Sequence, residues 1–324
     1  MKKLLSLLLA ILVLLPMLCA AEAPDWSIYS TGELEAFRTQ INAELASRTA
    51  APEPSPTEDF VIVTDGTQAI IRQYNGTAAE LVIPSEYDGL PVTQIGDKAF
   101  YHNETLVSVY IPGSVTLVGR EAFRECKLLT SVTFGDSTGD LEIGSDAFHS
   151  YYQKLTEIRF SRTPYRSLTL KGQCFRLANM SGTLVLNAQT ITLGQTPFAR
   201  MMKLEGLVLL ADTLILGESM LHGSGAVRYV YISPEAALTC GVTYNTGYEH
   251  FTEMPECTAV FLPDRVSGLT EKTFANDPKV TVYCRAGSGA EAAAQTCLVP
   301  VNTADYEAQA TPILSLVAEQ GFVY

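Results

Sequence analysis

The chain has 324 residues, of which 35 are acidic and 22 are basic, so its formal net charge at pH 7 is −13. A hydrophobic fraction of 47% beside 18% charged residues is too apolar for an intrinsically disordered protein. The acidic balance removes the long-range attraction that nucleic acid or an anionic membrane surface requires, so we expect neither as a partner.

The first 23 residues have the pattern of a secretory leader. Lys2 and Lys3 precede an apolar run over residues 4–15, and an Ala-Glu-Ala cleavage pattern follows at residues 21–23. The apolar run is too short to span a membrane comfortably. We therefore predict a signal peptide at residues 1–23, no integral membrane span, and an extracellular protein that is secreted or associated with the cell surface.

Lipoprotein processing at Cys19 is the alternative fate of this leader. It is disfavoured because Leu18 stands where a small residue is expected.

An amphipathic helical segment is predicted at residues 24–49. Ser30–Glu33 has the form of a capping box, and apolar residues then recur at helical spacing at Leu34, Phe37, Ile41 and Leu45. A helix of this length is marginal in isolation, so we expect it to dock either on its own chain or on a helical partner. Residues 50–58 carry three prolines and are predicted to form an extended linker.

Beyond the linker, the sequence repeats a unit of 23 to 30 residues. One column of the repeat is aromatic or leucine, at Phe100, Phe123, Phe148, Phe175, Phe198, Leu221, Phe251 and Phe274. Glycine stands four residues before this column at Gly96, Gly119, Gly144, Gly194 and Gly217. We attribute these glycines to a sharp turn of the chain.

Each unit also contains a predicted strand. After Phe123, apolar residues follow at Leu129, Val132 and Phe134, and the last two alternate with other residues as in a strand with one buried face. So small a unit cannot bury its apolar face alone, so the units must stack into a solenoid. About eight units with strands roughly 4.8 Å apart predict a ladder about 40 Å long.

The tandem strings resemble the BspA-like leucine-rich repeat family, as in VYIPGSVTLVGREAFRECKLLTSVTF at residues 109–134. The resemblance covers about residues 60–300. It implies a β-rich (α+β) repeat solenoid, a curved right-handed leucine-rich-repeat ladder with caps, together with roles in adhesion and protein binding. We expect the repeat domain with its caps at residues 59–302, and a tail at 303–324 that adds a short helix or strand.

Residues typical of catalysis or metal binding do not form a recognisable set. His102, His149 and His222 fall on the turns after the aromatic column, and no carboxylate or cysteine recurs beside them at ligand spacing. Motifs for nucleophiles and for phosphate-binding loops do not occur in a convincing context. We therefore predict no metal site, no cofactor and no enzymatic activity.

Six cysteines remain after removal of the leader. Cys174, Cys240 and Cys257 occupy core columns of the repeat, where cysteine acts as a small hydrophobe. Cys284 and Cys297 flank a glycine-rich segment and are the candidates for a disulfide; pairing and free thiols both stay open.

The outward strand positions carry the functional hypothesis. Along the ladder they are Tyr110, Thr133, Arg159, Val185, Val208, Tyr231 and Phe261. We define the apolar stripe as the last four of these residues plus the adjacent Tyr229. Exposed contiguous apolar surface marks interaction sites, so the stripe predicts a protein ligand such as a host or matrix protein.

Three alternatives stay open. In the first, the tail or an insertion at residues 242–250 covers the stripe. In the second, the repeats are the scaffold of an extracellular enzyme. In the third, the solenoid is an inert spacer that presents the N-terminal helix.

Overall fold

The computed structural model describes residues 52–241 and 250–322. The predicted leader, the helical segment at 24–49, the start of the linker and nearly all of the insertion at 242–250 lie outside the described residues. The first ten strands are β1 Phe60–Thr64, β2 Ala69–Tyr74, β3 Glu80–Val82, β4 Glu86–Tyr87, β5 Leu90–Ile95, β6 Ser108–Ile111, β7 Leu117–Val118, β8 Ser131–Phe134, β9 Asp140–Ile143 and β10 Glu157–Arg159.

The second half of the chain contains ten more strands and two α-helices within the described residues. The strands are β11 Tyr165–Leu170, β12 Gly182–Leu193, β13 Leu204–Leu210, β14 Thr213–Leu216, β15 Tyr229–Ile232, β16 Ala237–Cys240, β17 Ala259–Phe261, β18 Arg265–Ser267, β19 Thr281–Tyr283 and β20 Val301–Asn302. The helices are α1 Gly289–Ala294 and α2 Tyr306–Glu319, and short 3-10 helices occur at Thr57–Asp59 and Gln295–Cys297.

The strands stack in parallel, so the predicted solenoid is confirmed. One set, ladder 1, contains the predicted strands in two runs, β3-β6-β8-β10 and β12-β13-β15-β17-β19-β20. The runs meet where the Asn179 N–H donates to the Leu155 carbonyl at 2.6 Å. Ladder 1 thus has ten strands, against about eight expected, because the capping segments contribute strands as well.

A second set of strands, ladder 2, was not predicted from the sequence. It runs through β2, β5, β7, β9, β11, the second half of β12, β14, β16 and β18. Most repeats therefore contribute two short strands separated by a turn. In β9, for example, Leu141 and Ile143 point into the core and alternate with partly exposed residues.

The third side of the solenoid carries the aromatic column, whose side chains are all buried. Phe123 lies between Phe100 and Phe148, with ring centroids 4.5 and 5.0 Å apart and nearly parallel planes. In most repeats the residues two places before and after the aromatic take positive φ, as at Lys98 (59°) and His102 (57°). Hydrogen bonds between the backbones of successive turns stabilise this otherwise costly conformation.

The glycine column has a different cause from the one expected. Gly119 is not among the residues with positive φ. A Cβ atom at Gly119 would lie 2.5 Å from the backbone nitrogen of Asp97 in the preceding turn. At Gly217 it would lie 2.6 Å from the carbonyl oxygen of Gly194. These glycines are required because successive turns approach each other too closely for a side chain, not because the chain bends sharply.

Both ends of the repeat region are covered. β1 pairs antiparallel with β2 at the start of ladder 2, and α1 packs against β18 at its end. At the first strand of ladder 1, the Ser55 N–H donates to the Val82 carbonyl at 2.9 Å, and the Val82 N–H donates to Ser55 Oγ at 3.0 Å. The proline-rich segment thus borders β3 over its described residues.

Candidate functional site

The structure brings the residues of the apolar stripe together. Val185, Val208, Tyr231 and Phe261 are paired in register across four adjacent strands of ladder 1. Tyr229 lies two residues before Tyr231 on the same face. The first four side chains are at most 3% exposed, so the stripe is continuous but buried.

The C-terminal helix α2 covers the stripe. Tyr306, Ala310, Ile313 and Val317 are spaced by four, three and four residues, so they share one face of the helix, and all four are buried. They form an apolar cluster with the stripe that is separate from the main core. The sequence left open whether the stripe is exposed or covered. In the structure, the tail covers it.

Aromatic contacts dominate the centre of this cluster. The ring of Phe261 stacks on Tyr283 at 5.0 Å and meets the edge of Tyr306 at 5.8 Å. Tyr229 contacts the neighbouring strands of ladder 1. Its hydroxyl is hydrogen-bonded to Thr183 Oγ1 at 2.5 Å, and its ring occupies the space that a side chain at Gly206 would need.

Charged groups gather where α2 begins. The guanidinium of Arg285 donates to Glu235 at 2.7 Å and to Asp264 at 3.1 Å, and it lies 3.8 Å from a carboxylate oxygen of Glu307 in the first turn of α2. The carboxylates of Glu235 and Asp264 raise the pKa of Arg285 further above its ordinary value, despite partial burial. The same guanidinium lies 5.9 Å from the ring centre of Tyr306.

The first four strands of ladder 1 present a face whose outward side chains remain accessible. We call it the open face. One row of it contains Glu80, Ser108, Ser131 and Glu157, and the other contains Val82, Tyr110, Thr133 and Arg159. All eight side chains are partly or fully exposed, in contrast to the stripe.

Tyr110 lies near the middle of the open face. Burial, together with the nearby carboxylate of Asp136, raises the pKa of its phenol, so the hydroxyl stays protonated in the neutral range. At the far edge, the Glu157 carboxylate forms an ion pair with Arg159 and accepts a hydrogen bond from Ser131 Oγ at 3.0 Å. The face thus combines a central phenol with hydroxyls and a charged rim.

From the sequence, only Tyr110, Thr133 and Arg159 of the open face were predicted to point outward. Ser108, Ser131 and Glu157 stand two residues before Tyr110, Thr133 and Arg159. The same two-residue alternation would have placed them on the same face.

Two histidines contact carboxylates, and each belongs to a turn. His149 is buried, with Nδ1 2.8 Å from Asp146. His222 Nδ1 lies 2.9 Å from Glu253, beside a cleft of about 280 Å³ whose lining includes Ser219. That serine is buried, with its hydroxyl 3.2 Å from Thr252 Oγ1. Across residues 52–241 and 250–322, no group of three or more His, Cys, Asp or Glu side chains could hold a metal ion.

The cysteines lie inside the solenoid. Cys174, Cys240 and Cys257 are buried in the main core, in the columns that the sequence indicated. Burial raises the pKa of Cys257 to about 12. Cys284 and Cys297 are also buried, and in the described part of the chain no disulfide bond joins them.

Comparison with known protein families gives a match within the repeat region. Residues 93–228 match the BspA type leucine-rich repeat region, in six copies. No curated protein sequence matches the chain. Within the described parts of the chain, no helix is long and apolar enough to cross a membrane.

A comparison with solved structures finds several leucine-rich repeat proteins among its matches. The leucine-rich repeat protein of T. pallidum is 19% identical, with 77% of this chain and 98% of that chain covered and a TM-score of 0.36. A leucine-rich cell surface protein of Faecalibacterium prausnitzii is 13% identical, with coverages of 76% and 98% and a TM-score of 0.24. The pneumococcal vaccine antigen PcpA is 12% identical, with coverages of 79% and 99% and a TM-score of 0.24.

Proposed function

We propose that the protein is a non-catalytic binding protein that acts outside the cell, and the match of residues 93–228 to the BspA type leucine-rich repeat region supports this role. Its ligand is a protein, such as a host or matrix protein, bound on the open face of ladder 1. The observation that carries the proposal is the division of ladder 1: α2 covers the stripe, whereas the outward side chains of the first four strands stay accessible.

The chemistry of the open face suits protein recognition. Tyrosine contributes contact area with few rotatable bonds, and serine and threonine hydroxyls provide adaptable hydrogen bonds. Tyr110 lies near the centre of the face, whereas the charged residues Glu80, Glu157 and Arg159 lie at its edges. Binding hot spots favour this arrangement of a central aromatic residue within a polar rim.

Support for a non-catalytic role comes from the histidine pairs. His149 of the Asp146–His149 pair is buried, and the hydroxyl of Ser219, which lines the same cleft as His222, is hydrogen-bonded to Thr252 Oγ1. Support for an extracellular site of action comes from the leader pattern at residues 1–23. The enzyme and spacer alternatives become outcomes of the following test.

A photo-crosslinking amino acid at Thr133 tests the proposal, with Thr192 as the matched control. Both are partly exposed threonines one residue before the end of a strand, but Thr192 lies on ladder 2. We expect covalent adducts with an extracellular protein from the source culture or its surroundings at Thr133 and not at Thr192.

Binding of the purified partner then provides the quantitative test. Thr133→Arg should weaken binding about tenfold or more, because a bulky charge would stand in the centre of the interface. Thr192→Arg should leave the affinity within about twofold. Equal labelling at both positions, equal losses, or a small-molecule reaction product in place of a bound protein would overturn the proposal.

A further inference from the structure

We propose that the apolar stripe is a groove for an amphipathic helix of a protein partner, and that α2 occupies this groove in the absence of the partner. The occupant would be a single helix with apolar side chains at positions i, i+4, i+7 and i+11. The inference goes beyond the open-face proposal because it concerns different side chains at the other end of ladder 1.

The groove is built independently of the solenoid core. The inward side chains of the same strands, such as Leu207 and Val230, belong to the main core, whereas Val208 and Tyr231 belong to the separate cluster with α2. Departure of α2 therefore uncovers a continuous apolar row without removing a side chain from the main core. Contiguous apolar surface of this kind is typical of helix-binding grooves.

Three features of α2 make it a replaceable cover. Pro312 lies inside the helix and cannot donate the backbone hydrogen bond expected there. Asp305 at the N-terminal boundary makes no capping hydrogen bond through its side chain, and no basic residue stands in the last turn. A helix of 14 residues with these defects depends on the groove for its stability. A partner helix without the proline would make the same contacts without this defect, but it must displace an α2 that is covalently linked to the groove.

The lining of the groove specifies the chemistry of the partner. Ala310 is buried against the stripe at position i+4, so a small residue is required there. Position i must hold an aromatic side chain that can meet Phe261 as Tyr306 does, and a carboxylate in the first turn can pair with Arg285 as Glu307 does. A second copy of this chain would supply an identical helix with the same proline, so exchange between copies would bring no gain in stability.

Peptide binding to the full chain tests the inference. The probe is a fluorescent synthetic peptide of residues 304–322 that carries Pro312→Ala, measured by fluorescence anisotropy. In the unaltered chain, α2 competes with the probe for the groove at a high effective concentration, so this chain should bind the probe weakly. A full chain with Val317→Asp, which weakens α2 but not the groove, should bind the probe at least tenfold more tightly.

The controls separate the possible outcomes. A probe that also carries Ile313→Asp should not bind, and this comparison requires no change in the folded protein. Thr133→Arg should leave probe binding unchanged, so failure of this inference and failure of the open-face proposal are distinguishable.

Two results would overturn the inference. One is that the Val317→Asp chain keeps its repeats folded but does not bind the probe. The other is a concentration-dependent dimer of the unaltered chain that the probe does not dissociate, which would assign the groove to a second copy.

Discussion

Replacement of Phe123 by alanine should destabilise the solenoid severely. Phe123 is 1% exposed, and its ring is stacked on one side by Phe100 and on the other by Phe148. The substitution therefore leaves a cavity between three successive repeats. Phe→Ala changes in protein cores cost about 3–5 kcal/mol, and stacked aromatic pairs contribute roughly 0.5–1.5 kcal/mol each beyond burial. With two stacked neighbours lost, we expect about 4–5 kcal/mol.

The same substitution near the end of the column provides the matched control. Phe274 is 4% exposed and has one stacked ring neighbour among the described aromatic pairs, Phe251 at 5.3 Å. Phe274→Ala should therefore cost less, about 3 kcal/mol. Tyr151 is 63% exposed, and Tyr151→Ala should change stability by no more than about 0.5 kcal/mol.

Urea unfolding followed by circular dichroism measures these differences in the free energy of unfolding. The comparison requires that the slope of this free energy against urea concentration is the same for all variants. The aromatic column would not be the interior of the solenoid if Phe123→Ala cost less than about 1 kcal/mol. The same conclusion would follow if its cost equalled that of Tyr151→Ala.

Three further predictions concern the turns and the core. Gly119→Ala should destabilise the fold by more than about 2 kcal/mol in thermal melts, whereas Gly139→Ala, whose Cβ would meet Ser137 Oγ only at 3.5 Å, should be neutral. Burial raises the pKa of Asp277 to about 7 against 3.8 in the unfolded chain, so the free energy of unfolding should decrease as the pH rises from about 4 to 7. Asp277→Asn should therefore stabilise the protein at pH 8, by at most about 4 kcal/mol, and not at pH 4. Cys174 should resist iodoacetamide until the protein unfolds, because burial raises its pKa.

The sequence predicted the parts of the fold that repeat over long spacings. The aromatic column recurs with the same neighbours, and the alternation in ladder 1 extends over several residues, as at Val132 and Phe134. Ladder 2 was missed because its strands can be as short as β7, with two residues. Alternation cannot be recognised in so short a segment.

Other features depended on contacts that sequence does not report. A glycine can be required by positive φ or by close approach, and the pattern around Gly119 does not distinguish these causes. Alternation correctly placed Val208 and Tyr231 on the outward side, but it could not say what packs there. The spacing of Tyr306, Ala310 and Ile313 was the available signal, because an apolar helix face requires a partner.

Hydroxyl-radical footprinting of the full chain distinguishes the accessible half of ladder 1 from the half that α2 covers. We expect oxidation at Tyr110 and protection at Tyr231 and Phe261, with the exposed Tyr151 as an internal reference. In the Val317→Asp chain, oxidation at Tyr231 and Phe261 should rise while that at Tyr110 stays constant. Equal oxidation of Tyr110 and Tyr231 in the unaltered chain would show that α2 does not cover the stripe.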